Sequence, residues 1–153
     1  MIILKRFTSI REKLPDKLST LKLLIKKLPQ LKYTGGVSQM EIKKAQKQLG
    51  LTFSEDFIYY LLNFGQIEAS GIKLLGISNK SLTSVVKVTL EERKRHSIPD
   101  GFYVIENLGI DGILYVQDST GTVYEVSPGK KPKKFASSLL QYIQSTQKGT
   151  LFI

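Results

Sequence analysis

Between Val37 and Gln66 the apolar positions fall at helical spacing in two consecutive blocks. Ile42, Ala45 and Leu49 form the first stripe, opened by Ser38 with Glu41 three residues on and stopped by Gly50. A serine and a glutamate at that distance make a capping box, in which each side chain satisfies a backbone N–H left unpaired at a helix start. Glycine just past the last turn is a common helix stop. The second stripe is Phe57, Tyr60, Leu61 and Phe64, opened by Ser54 and ended by Gly65. Glu55 and Asp56 lie in its first turn, where the helix dipole favours negative charge. Two capped amphipathic helices of this length are not stable alone, so their apolar faces must rest on other elements.

Upstream, Phe7, Ile10, Leu14, Leu18, Leu21, Ile25 and Leu28 recur at three- and four-residue steps. Pro15 is expected to divide this helical pattern, with a second piece starting near Asp16 and ending before Pro29. Thr34-Gly35-Gly36 reads as a loop. Beyond Gly65 the period changes. Residues 72–75 read as a short strand, and Ser81 as the cap of a helix over about 82–95, despite three β-branched valines at 85, 86 and 88. Ile98-Pro99-Asp100-Gly101 is turn chemistry, and strands are expected over 102–107, 113–118 and 122–126. Asp118-Ser119-Thr120-Gly121 joins the last two: the aspartate can bond its own backbone, and the glycine can take the positive φ of a short hairpin loop. Residues 128–134 read as a basic loop, and a closing helix is expected over about 136–145. Helices, then consecutive hairpin-linked strands, then a helix specify an α+β fold. Its expected form is an antiparallel β-sheet meander with helices packed on one face, an N-terminal helical segment and a C-terminal helix, the other sheet face being partly open.

The chain has 153 residues, the length of one domain with a real core, and is read as a single domain over 1–153. With no cysteine and His96 as the one histidine, thiolate, disulfide and multi-histidine metal sites are excluded. No apolar run approaches the roughly 20 residues of a membrane span, and Lys5 and Arg6 interrupt the apolar start, so a cytoplasmic location is expected. The formal charge of +10 is unevenly placed. Residues 1–34 hold nine Lys/Arg against two acidic residues (+7), and the remainder holds fourteen against eleven (+3). A second basic cluster is Lys130, Lys131, Lys133 and Lys134.

Three blocks of this order resemble the SUKH superfamily, named for a fungal cell-wall assembly regulator and its bacterial immunity relatives. The first runs through Ile42, Gln46, Leu49-Gly50, Phe53-Ser54-Glu55-Asp56-Phe57 and Leu61-Leu62-Asn63-Phe64-Gly65. The second is Val104-Ile105-Glu106-Asn107 through Asp111-Gly112 and Ile113 to Asp118, then Gly121-Thr122-Val123-Tyr124. The third is Ala136-Ser137-Ser138-Leu139-Leu140-Gln141-Tyr142-Ile143. The resemblance covers residues 37–145 and leaves the basic segment 1–34 outside. Gln46 stands where the family usually has glutamate, Phe53-Ser54 where it has leucine-proline, and tryptophan is absent.

The resemblance implies a binding module that neutralises a bacterial toxin, with no cofactor and no catalytic residues. Such a module needs only a rigid complementary surface. The expected contact zone is the sheet around Glu106, Asp111, Tyr115, Asp118 and Tyr124 together with the loop before the last helix. There Glu106, Asp111, Asp118 and Glu125 either form an acidic patch or are ordinary exposed and turn residues. Tyr103, Tyr115 and Tyr124 are candidate aromatic anchors. The alternative is a nucleic-acid-binding or regulatory protein using the lysine clusters, although neither a helix-turn-helix nor the aromatic pattern of an RNA-binding sheet is present. An enzyme has least support. His96 follows Glu91-Glu92-Arg93-Lys94-Arg95 and reads as a solvated helix end, Ser137-Ser138 as a helix cap, and Gly109-Ile110-Asp111-Gly112 as a turn.

Overall fold

A computed structural model describes residues 16–96 and 98–147 of the chain. The first half of the expected N-terminal helix lies outside the described residues. Its second half is α1 (Lys17–Lys26), capped by Asp16, whose side chain accepts from the Leu18 amide. Strand β1 (Lys32–Tyr33) follows, then α2 (Gln39–Leu49) and α3 (Glu55–Phe64). Both predicted caps are in place: Ser38 Oγ accepts from the Glu41 amide at 3.2 Å and Ser54 Oγ from the Phe57 amide at 3.2 Å. Gly50 closes α2 in the left-handed region at φ 66°. Short strands β2 (Ile67–Ala69) and β3 (Ile72–Leu74) pair antiparallel with each other, and β1 pairs with β2. A 3-10 turn (Ser81–Thr83) leads into α4 (Val85–His96). The meander is β4 (Tyr103–Asn107), β5 (Leu114–Gln117), β6 (Val123–Val126) and β7 (Lys133–Ala136), and α5 (Leu139–Thr146) closes it.

All pairs in the four-stranded sheet, ordered β4-β5-β6-β7, are antiparallel. The α+β class is therefore as expected. The sequence reading missed that the strands divide into two sheets and that β1, β2 and β7 exist. Every residue of β5 is buried, so with alternating side chains both faces of the central sheet are closed rather than one being partly open. Backbone contact joins the two sheets: the Leu75 amide donates to the Ile105 carbonyl at 2.8 Å. The opposite face of that edge is served by α4, where Thr89 Oγ1 accepts from the Val104 amide at 2.9 Å. The β4 edge is thus covered, which removes a row of unpaired backbone groups from solvent.

The core is aromatic where α3 meets the sheet. Phe53, Phe57 and Tyr103 hold mutual ring separations of 4.8–5.1 Å, edge-on or tilted, the geometries favoured by ring quadrupoles. Tyr60 ties α3 to the small sheet: its hydroxyl accepts from the Ile67 amide at 3.1 Å and faces the Leu74 and Leu75 carbonyls. Gly65 is required by packing as well as by its φ of 77°, because a Cβ there would lie 2.1 Å from the Gly35 carbonyl oxygen. Through that close approach the 34–37 loop caps the end of α3: the Gly35 and Val37 amides donate to the Phe64 and Leu61 carbonyls.

Candidate protein-docking surface

Two polar centres, one half-buried and one buried, hold the sheet to its helices, and they account for several residues that looked functional in the sequence. The first is Asp56. One carboxylate oxygen accepts from Gln117 Nε2 at 3.1 Å and is in close contact with the Ser54 hydroxyl. The other accepts from the Leu139 amide at 2.8 Å, so Asp56 on α3 caps the start of α5 across the fold. Gln117 Nε2 also reaches the Gly121 carbonyl, and its oxygen accepts from the Tyr103 hydroxyl. Tyr103 accepts in turn from the Ser54 amide at 2.9 Å. Burial pushes the Tyr103 phenol above its ordinary range, so it stays a donor. Nearby, Gln46 Oε1 accepts from the Phe53 amide at 2.9 Å. An acceptor is all this position uses, so glutamine serves where the family usually has glutamate.

The second centre is Glu106, 4% exposed. It accepts from the Lys73 amide at 2.7 Å and from the Tyr142 hydroxyl in a short contact. Desolvation raises its carboxyl above the usual range, opposed by these two hydrogen bonds. Tyr115 stands opposite Glu106 in the register and donates to Glu125 Oε1 at 2.8 Å. Its own phenol is pushed up to about 12 by burial first, then by the Glu125 carboxylate. The rings of Tyr115, Tyr142 and Phe135 then form a triangle with centroids 4.8–5.8 Å apart. Tyr142 is 1% and Tyr115 9% exposed, whereas Phe135 is 43% exposed. The β6–β7 register shifts between Val123 and Tyr124, leaving Phe135 as the extra residue on β7. A bulge re-aims a side chain, and this one seats an accessible aromatic ring on two fixed ones.

The five residues named from the sequence do not converge. Glu106 and Tyr115 are brought together, but in the interior, so they support the sheet rather than form its outer surface. Tyr124 pairs with Val116 and Lys134 on the other face and stacks on Phe102 at 5.0 Å. Asp111 is an exposed loop residue before β5, and Asp118 sits at the far end of that strand. There it accepts from the Thr120 amide at 3.0 Å, making the turn its sequence promised. No acidic patch joins Glu106, Asp111, Asp118 and Glu125. What the sequence reading missed is β7: Lys133, Lys134 and Phe135 are exposed, and no described strand pairs with its outer edge. Two lysines followed by two adjacent apolar residues, Phe135 and Ala136, give no period-two signal.

A cleft of about 640 Å³ opens where the starts of α1, α3 and α5 meet, lined by Asp16, Lys17, Asp56, Thr120 and Ser138 among others. Asp56 is fully engaged in structural bonds there. A second, of about 410 Å³, lies at the opposite end of the sheet between Arg95, His96, Gly112 and the Pro128–Lys131 loop. No helix of the described residues is long and apolar enough to cross a membrane.

The family model for SMI1-KNR4 cell-wall proteins of the SUKH superfamily (SUKH_5) matches residues 16–148. No curated protein matches the chain. The family match covers most of the sequence and begins at the α1 cap, so the chain belongs to this family and the described part of the basic segment is inside the family unit.

Proposed function

We propose that this SUKH-family chain is a non-catalytic protein-binding module of the immunity type, which neutralises a bacterial toxin by docking it on the β7 edge. The observation that supports this most is Phe135: an aromatic ring 43% exposed yet seated on two buried tyrosines. A pre-positioned ring loses little freedom on binding, and such anchors dominate interface energetics. Lys133 and Lys134 precede it on an edge with which no strand of the described residues pairs. Lysines on an edge strand discourage pairing with a like-charged copy and favour an acidic partner. The carboxylates Asp56 and Glu106 both accept hydrogen bonds that hold the fold together, which supports a non-catalytic reading.

The test is co-expression with toxin domains encoded beside the gene, read as growth rescue, with calorimetric titration of the purified pair. Phe135→Ala is expected to weaken binding at least about 30-fold, the cost of a hot spot of roughly 2 kcal/mol. Lys133→Glu with Lys134→Glu is expected to slow association and to weaken or invert its dependence on salt. Tight binding unchanged by all three substitutions would move the site off β7. Failure of the intact protein to bind or rescue against any neighbouring toxin would end the immunity reading.

A further inference from the structure

The end of the central sheet that carries the β4–β5 and β6–β7 loops combines two surface features that neither the family nor the β7 anchor explains. At the tip of the β4–β5 loop Leu108 is 41% and Ile110 63% exposed. The loop is held in one shape: Asn107 Oδ1 accepts from the Gly109 amide at 2.9 Å, and the Ile113 amide donates to the Ile110 carbonyl at 3.1 Å. Beside it, Arg95 at the end of α4 and Lys130 and Lys131 of the β6–β7 loop line one cleft with His96 and Gly112. Three acidic residues bear on these cations: Glu91, exposed one helical turn before Arg95, Glu92 and Asp111. Glu92 is 3% exposed and already occupied by His96 and Arg95, leaving Asp111 as the exposed carboxylate of the loop.

We propose that this end of the sheet docks on an anionic lipid surface, with Leu108 and Ile110 entering the headgroup region and Arg95, Lys130 and Lys131 contacting lipid phosphates and carboxylates. Exposed apolar side chains on a hydrogen-bonded loop, with cations lining the cleft beside it, match an interface that is apolar below and negative above. Nucleic acid would use the cations and leave Leu108 and Ile110 without a role.

The measurement is co-sedimentation of the full chain with phosphatidylcholine vesicles with and without phosphatidylserine, at two salt concentrations. Binding only to the anionic vesicles, weaker in high salt, is expected. Lys130→Glu with Lys131→Glu should reduce it by more than an order of magnitude, since each charge near such a surface contributes about five-fold. Ile110→Asp should also reduce it. Asp111→Asn should strengthen it by roughly five-fold, and asparagine tolerates the φ of 53° found there. Matching thermal melts establish that the variants are folded, and Asp111→Asn keeps the test open if Ile110→Asp is not. Absence of binding to phosphatidylserine vesicles overturns the proposal. So does binding that all three variants leave unchanged.

Discussion

Removing the Asp56 carboxylate should destabilise the fold far more than deleting a helix-end charge normally does. Asp56 accepts from Gln117 Nε2 and the Leu139 amide and contacts the Ser54 hydroxyl, so α3, β5 and α5 all meet at one side chain. A hydrogen bond to a charged acceptor contributes about 1.5–3 kcal/mol. Two such N–H bonds set an upper range of about 3–6 kcal/mol. Asp56 borders the 640 Å³ cleft, so water can reach the vacated donors. Gln117 also keeps its bond to the Gly121 carbonyl. These offsets bring the expectation for Asp56→Ala to about 2–4 kcal/mol, or roughly 5–15 °C in Tm for a chain this size. Asp56→Asn should restore little of it. Gln117 is locked in orientation because its oxygen takes the Tyr103 hydroxyl. One face of an asparagine amide must therefore set NH₂ against an N–H donor. The assay is urea unfolding followed by far-UV circular dichroism, with amide exchange at Leu139 as the local readout. A loss below about 1 kcal/mol for Asp56→Ala, or a wild-type Asp56→Asn, would refute the reasoning.

Gly76→Ala should prevent folding or cost about 3 kcal/mol or more, because its Cβ would sit 1.8 Å from the Gly65 carbonyl oxygen, a backbone atom that cannot swing away. Soluble yield and melting temperature report it. Glu106→Gln should flatten part of the pH dependence of stability. Burial raises the folded-state carboxyl above its unfolded value, so its contribution is fully present below the unfolded pKa and is lost as pH rises through the folded one. The variant should therefore gain on wild type as melting is measured from acidic toward neutral pH, and a constant difference would contradict this. Tyr103→Phe should cost about 1–3 kcal/mol by stranding the Ser54 amide and the Gln117 oxygen, read by the same urea titration.

Local rules read from the chain held wherever a residue's role is satisfied within a few positions. Ser38, Ser54 and Asp118 bond the amides that capping and turn chemistry assign them, and Gly50 closes its helix left-handed. The second half of the chain was harder because tertiary partners override the pattern. The valines of α4 pull toward a strand, yet Val85 and Val88 are buried as the inner face of a helix. Residues 139–146 form the last helix later than its apolar onset suggested, since Ala136 ends β7 and Ser138 provides the cap. Glu106 illustrates why the site was illegible. A polar residue in a strand reads as solvent-facing by alternation, but the register shift between Val104 and Glu106 carries its carboxylate inward to the Lys73 amide and Tyr142.

The two edges of the central sheet are treated oppositely, and that asymmetry is the strongest structural reason to place recognition on β7. At β4 the exposed backbone is consumed: Leu75 meets the Ile105 carbonyl, and Thr89 takes the Val104 amide. A fold under pressure only to hide its edges would do the same at the other side. Instead no strand of the described residues pairs with the outer edge of β7, which carries Lys133 and Lys134. Its register shift leaves Phe135 half in solvent, against Tyr115 and Tyr142. The lysines alone would suffice to prevent aggregation. An accessible aromatic ring works against that purpose, and its presence on a charged edge supports the proposal that a partner covers it.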